Sequence, residues 1–117
     1  MARYRLAPRA QNDLAEILAA SAIQWGRDAS LRYAALLFAA METVAVDPDR
    51  ASSRKRDELW PSMRSFHTRH VRSSGVKHPP HVLYYRIIRP GLVEIIRILH
   101  DRMDPGLHLS VGEPDAE

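Results

Sequence analysis

Two runs of β-branched and aromatic residues, His81-Val82-Leu83-Tyr84-Tyr85-Arg86-Ile87-Ile88 and Leu92-Val93-Glu94-Ile95-Ile96-Arg97-Ile98-Leu99, are separated only by Arg89-Pro90-Gly91. So short a connection leaves no length for a crossover, so the runs must be antiparallel neighbours. The register stays open, because Pro-Gly suits several loop lengths. The second run is apolar on both parities: strict alternation sends Ile95 and Leu99 to one face and Ile96 and Ile98 to the other. A strand wetted on one side would instead alternate apolar with polar. The chain must therefore fold around a sheet that is covered on both faces.

Cover for one face stands in the first half. Arg3-Tyr4-Arg5-Leu6 alternates like a first strand, and Ala7-Pro8 opens a helix with proline in its first turn. Leu14, Ile17, Leu18, Ser21/Ala22 and Trp25 recur at helical spacing, and Gly26 supplies a stop. Asp28 or Ser30 is placed to cap a second helix, in which Tyr33, Leu36, Leu37, Ala40, Met41 and Val44 repeat the pattern until Asp47-Pro48-Asp49. Trp25 and Tyr33 read as core. This helical hairpin can shield only one face of a small sheet. The other face lies under the C-terminal segment or awaits a partner.

Residues 49–62 are polar and Arg-rich, a connecting loop that Trp60 can anchor; Met63 to Arg72 reads as a strongly basic strand, and 73–80 is loop chemistry. The expected order is β-α-α-β-β-β, an α+β fold with the helical hairpin on one face of a small, mostly antiparallel sheet. At 117 residues the chain forms a single domain over 1–109, and the acidic tail at 110–117, with little to bury, is expected to be disordered.

Charge is unevenly laid out. Residues 50–78 carry eight Lys/Arg against Asp57 and Glu58, whereas acids slightly exceed bases on either side. Such a block suits an anionic partner such as nucleic acid or an acidic protein segment, or else a solvated strand edge. With no cysteine, disulfides, thiolate metal sites and cysteine nucleophiles are excluded. The apolar runs are too short to offer about 18 residues for a membrane span. The N-terminus lacks a secretory block, which makes the cytoplasm the simplest location. His67 and His70, three apart in a strand, face opposite sides, and His78/His81 have no matching carboxylates, so no metal site is expected. No Gly-rich phosphate loop or nucleophile motif implies a cofactor.

Four segments, taken in order, resemble the ParE toxins of the RelE/ParE superfamily of type II toxin–antitoxin systems. They are Tyr4-Arg5-Leu6-Ala7-Pro8-Arg9-Ala10 with Asp13-Leu14, Ile17, Trp25-Gly26 and Arg32-Tyr33; Met63 to His70; His81 to Arg86; and Glu94 to Asp104. The resemblance implies a toxin that inhibits DNA gyrase and is not itself an enzyme. It also implies neutralisation by a ParD-like antitoxin whose C-terminal half folds onto the toxin. Antitoxin contacts are then expected at Tyr33, Tyr84, Arg86 and Arg97, and target contacts at Arg64, Arg69, Arg72, His100, Arg102 and Met103. Of the target contacts, the segment just past the last strand is preferred. A chain cut after Leu99 is expected to keep its fold and lose only this contact. Direct binding of nucleic acid is left open.

The RelE branch instead cleaves messenger RNA on the ribosome. A nuclease of that kind would draw on Arg64, Arg69, Arg86, Arg97 and His100 for phosphate charge and proton transfer. RelE-like enzymes often end in a Tyr or His-Tyr pair, and no aromatic residue follows the last strand here. The plainer roles for these residues are salt bridges of Arg86 and Arg97 to Glu94 and a strand-end hydrogen bond for His100.

Overall fold

A computed structural model describes residues 2–72 and 75–109. The elements are β1 (Arg3–Leu6), α1 (Pro8–Trp25), α2 (Arg27–Val46), β2 (Arg54–Lys55), β3 (Arg64–His67), β4 (His81–Arg89), β5 (Leu92–His100) and the short α3 (Pro105–His108), with a 3-10 turn at Thr68–His70. The β-α-α-β-β-β order holds, with a two-residue edge strand added inside the segment expected to be loop. The basic strand is shorter than expected: it ends at His67, where the chain tightens into the 3-10 turn. The expectation for the tail falls on 110–117, outside the described residues.

A single residue joins the helices. Gly26 adopts φ 93°, ends α1 through its N–H to Ala22 O (2.9 Å), and stands directly before α2. Only glycine takes that backbone freely. Because α2 begins at Arg27, Asp28 and Ser30 lie inside it and neither caps it. The Ser30 hydroxyl instead donates to Leu18 O (2.8 Å), tying the helices together.

Helix α2 supplies most of the core. Leu36, Leu37, Ala40, Met41 and Val44 are buried with Phe66, Leu83, Tyr85, Val93 and Ile95. Each large side chain so buried contributes about 1.5–3 kcal/mol. By length and composition α2 is apolar enough to cross a membrane, yet its apolar stripe packs on the sheet. Helix α1 lies further out: only Ala10 is fully buried, and Leu14, Ile17 and Leu18 are partly so. Tyr33 is core as expected, but Trp25 is 69% exposed. The last turn of α1 extends past the packed region, which also leaves Ile23 in solvent.

The sheet runs β1-β5-β4-β3-β2. Among the described residues, only the β1–β5 pair is parallel. The β4–β5 hairpin turns at Pro90-Gly91, with Gly91 at φ 86°. Tyr84 pairs with Arg97 but Tyr85 with Ile95, so Ile96 is an extra residue in β5. That bulge resets the alternation. Ile95 and Ile98 consequently share the helix-side core, while Leu99 and Ile96 belong to the cluster on the other face, unlike the strict-parity expectation.

The chain itself covers much of the second face. Leu59 and Met63 from the loop, Val82 and Tyr84 from β4, Leu99 from β5 and Leu109 beyond α3 form a second buried cluster. Leu109 is only 6% exposed. A cut after Leu99 would therefore open this core, so the segment after the last strand is not a separable appendage.

At the edge of β5, β1 pairs only as far as Ile95. Asp13 of α1 then takes over. Its carboxylate accepts from Ile98 N (2.9 Å), Arg97 Nε (2.8 Å) and Arg97 Nη2 (2.9 Å), and Arg97 Nη1 donates to His108 O (2.8 Å). Arg97 thus joins α1, β5 and the C-terminal turn rather than pairing with Glu94. Glu94 pairs with Arg86 (3.6 Å) and Arg5 (3.3 Å).

Candidate functional site

On the face away from the helices, alternation in β3 turns Ser65 and His67 outward while Phe66 enters the core. Arg54 of the edge strand and Arg56 just after it, two residues apart, project on one side. The 3-10 turn adds Arg69 and His70, β4 adds Tyr84, and the turn after β5 adds Asp101 and Met103. These groups surround a cleft of 230 Å³.

Its polar groups are partly organised. His67 Nε2 donates to Asp101 Oδ2 (2.9 Å) and Nδ1 accepts from Arg69 N (3.0 Å), which fixes the ring as its Nε2–H tautomer. The bond from His67, together with the neighbouring cationic side chains, holds the Asp101 carboxyl below its usual value. Arg56 lies over the Tyr84 ring, 5.6 Å from its centroid, and bonds Glu58 (2.7 Å). Burial, then the charges of Arg69, His67 and Arg50, lower the pKa of His70.

A larger groove of 690 Å³ runs along the opposite side, between α1, the start of α2 and residues 75–81. At its base the Tyr33 hydroxyl meets His81 Nδ1 at 2.5 Å, and the His100 ring stands edge-on to His81. Burial, then His100, pushes His81 down to about 4, and burial raises the Tyr33 phenol. Both are neutral at pH 7, so the hydroxyl donates.

The sequence-derived sites separate on this frame. Of the target contacts, Arg69 and Met103 line the cleft, Arg102 is exposed between the lining residues Asp101 and Met103, and Arg72 is exposed. His100 belongs to the larger groove, and its Nδ1 accepts from Arg102 N (3.1 Å), the strand-end bond expected for it. Arg64 is 12% exposed and held by Ser53 Oγ (2.7 and 2.9 Å) and Asp49 (3.6 Å), which removes it from the surface. Of the antitoxin contacts, Tyr33 and Tyr84 are buried at 9% and 5% exposure, and Arg97 is tied to Asp13. Arg86 stacks on Trp60, and its Nε is buried with no acceptor among the described residues.

The five residues considered for RNA cleavage do not converge. Arg64 sits by the end of α2, Arg69 in the cleft, Arg86 against Trp60, Arg97 at the sheet edge and His100 in the other groove. Sequence reasoning missed Arg54 and Arg56 as site residues. Their two-residue spacing was the available signal, obscured because the segment read as loop. Asp13 carried no such signal, since its partners lie more than eighty residues away.

Residues 4–105 match the model of the ParE toxin of the type II toxin–antitoxin system parDE. Toxin ParE1 of Mycobacterium tuberculosis is 34% identical over 102 residues, 87% of this chain and 92% of that protein. Toxin ParE1 of Caulobacter vibrioides is 36% identical over 110 residues, 93% and 99% of the two chains. Among solved structures, a chain of the chromosomal ParDE system from P. aeruginosa superposes with a TM-score of 0.62 at 15% identity, covering 86% of this chain and 96% of that one. That likeness shows the shared fold. With the family match spanning nearly all the described residues, the chain belongs to the ParE toxin family of type II toxin–antitoxin systems.

Proposed function

We propose that this toxin inhibits DNA gyrase in the cytoplasm, is not itself an enzyme, and is neutralised by a ParD-like antitoxin. The observation that carries the choice of target over messenger-RNA cleavage is the dispersal of Arg64, Arg69, Arg86, Arg97 and His100. A ribonuclease needs a base, an acid and phosphate-binding cations around one bond. The five residues expected to do this occupy separate places, and two of the arginines are committed to internal partners.

The antitoxin reading draws support from the related ParDE structure. Arg86 is the contact best prepared for it, because its side chain is 35% exposed whereas Tyr33 and Tyr84 are buried and Arg97 is tied to Asp13. Tyr33 and Tyr84 would contribute through their rims. For the target, Arg69, Arg72, Arg102 and Met103 remain accessible.

The test adds purified toxin to gyrase, relaxed plasmid and ATP. Loss of supercoiling with accumulation of cleaved plasmid is expected, reversed by the antitoxin encoded beside the toxin. Met103→Ala with Arg102→Ala should weaken inhibition and leave antitoxin co-elution intact. Unimpaired gyrase, together with codon-specific cuts when the toxin is added to translating ribosomes, would replace this reading with the RelE one.

A further inference from the structure

The cleft on the open sheet face has properties that neither packing nor the toxin assignment explains. Arg54, Arg56 and Arg69 come from an edge strand, a loop and a 3-10 turn, yet all line one concavity. Arg54 and Arg69 have no ion-pair partner among the described residues. Arg56 is paired with Glu58 (2.7 Å) just outside the lining, so the excess positive charge comes from Arg54 and Arg69, against a single lining carboxylate, Asp101, which His67 already engages. Like charges so gathered repel one another, and an anion relieves that repulsion.

The chemistry of the wall narrows the anion. All three fixed cations are arginines, whose planar forks match phosphate oxygens in pairs. Ser52 and Ser65 add hydroxyls to the lining. At 230 Å³ the cleft falls below the roughly 300–1,000 Å³ that holds a drug-sized ligand, so a whole nucleotide is too large for it. One phosphate of a longer strand fits that size. Neighbouring phosphates would meet the accessible Arg102, which stands between the lining residues Asp101 and Met103. The pKa of His70 is lowered first by burial and then by the nearby Arg69, His67 and Arg50, a smaller contribution in the direction a basic cleft gives.

We infer that this cleft is a phosphodiester-binding site through which the toxin contacts a nucleic-acid backbone, with Arg54, Arg56 and Arg69 holding the phosphate. Such contacts position a protein without reading sequence. The site adds a backbone contact to the gyrase reading without resting on it, because binding is measured with no gyrase present.

The experiment measures anisotropy of labelled duplex DNA, single-stranded DNA and RNA of equal length with the full chain, across a salt series. Arg54→Ala/Arg69→Ala is compared with Arg27→Ala/Arg89→Ala, which removes the same charge from exposed positions outside the cleft. Thermal melts establish that both variants fold. The cleft variant is expected to lose at least about tenfold in affinity, and the slope of log K against log salt should shrink by between one and two. The control variant should change little. The relative affinities of the three nucleic acids separate a DNA source from an RNA source. Equal losses in both variants would reduce the effect to net charge and overturn the site. Displacement by poly-glutamate at matched charge would make the cleft a dock for an acidic protein segment instead. Displacement by inorganic phosphate at the strand's own concentration would overturn the backbone reading, and so would absence of binding at low salt.

Discussion

Asp13→Ala should be among the most damaging single substitutions outside the apolar core. The carboxylate accepts three hydrogen bonds, two from Arg97 and one from the backbone N–H of Ile98, on a stretch of β5 that β1 does not reach. Removing one partner of a buried ion pair costs about 3–5 kcal/mol. The two side chains keep 15% and 12% exposure, and Arg97 retains His108 O, which places the cost near the lower end, about 3 kcal/mol. A chain of 117 residues has an unfolding entropy of about 0.25 kcal/mol/K, so Tm should fall by about 12 °C. Asp13→Asn keeps an oxygen for Ile98 N and loses the charge, so it should fall by roughly half as much. Calorimetry of Asp13→Ala, Arg97→Ala and the double variant closes a cycle. The double should cost less than the sum by about 2 kcal/mol. A fall below about 3 °C for Asp13→Ala, or additive losses, would refute the assignment of Asp13 and Arg97 as an edge clamp. If the clamp stands, loss of toxicity or antitoxin binding in Arg97→Ala reports on folding unless stability is measured alongside.

Three further outcomes are expected. Leu109→Ala should cost about 2–4 kcal/mol in urea denaturation, because Leu109 closes the second cluster and its removal leaves a cavity. Trp25→Ala should shift stability by less than about 0.5 kcal/mol, since its ring packs on little. The His81 imidazole takes up its proton only near about pH 4 in the fold, against about 6.5 in the unfolded chain. As pH falls, the unfolded state gains that proton first, so the His81 contribution is complete above about 6.5 and is lost between there and 4. A series of melts from pH 7 to 4 should therefore show a smaller decline in His81→Gln than in the parent chain; parallel curves would count against this.

The local elements were legible because they rest on neighbours in sequence. Apolar spacing marked both helices, Gly26 marked their junction, and Pro90-Gly91 with its flanking β-branched runs marked the hairpin. The family resemblance was carried by short motifs of the same kind. Trp25 read as core because helical spacing counts faces without knowing where the neighbouring layer ends. The strand expected from Met63 to Arg72 closes early because nothing local announces the 3-10 turn at Thr68.

What the sequence determined by itself was the α+β architecture and the need to cover a two-sided apolar strand. These follow from period and composition, which each segment carries alone. The tertiary structure decided how that need is met. One bulge at Ile96 reassigns the faces of β5, since a single inserted residue reverses alternation for everything after it. The second face is closed by Leu59, Met63 and Leu109, and the edge by Asp13, each reaching residues far away in the chain. The cleft likewise exists only because β2, the 3-10 turn and the C-terminal turn meet on one surface. Its charges were visible as a basic block, but charge has no periodicity that fixes direction. Only packing determines which arginines are spent on internal partners, as Arg64 and Arg97 are, and which are left facing solvent together.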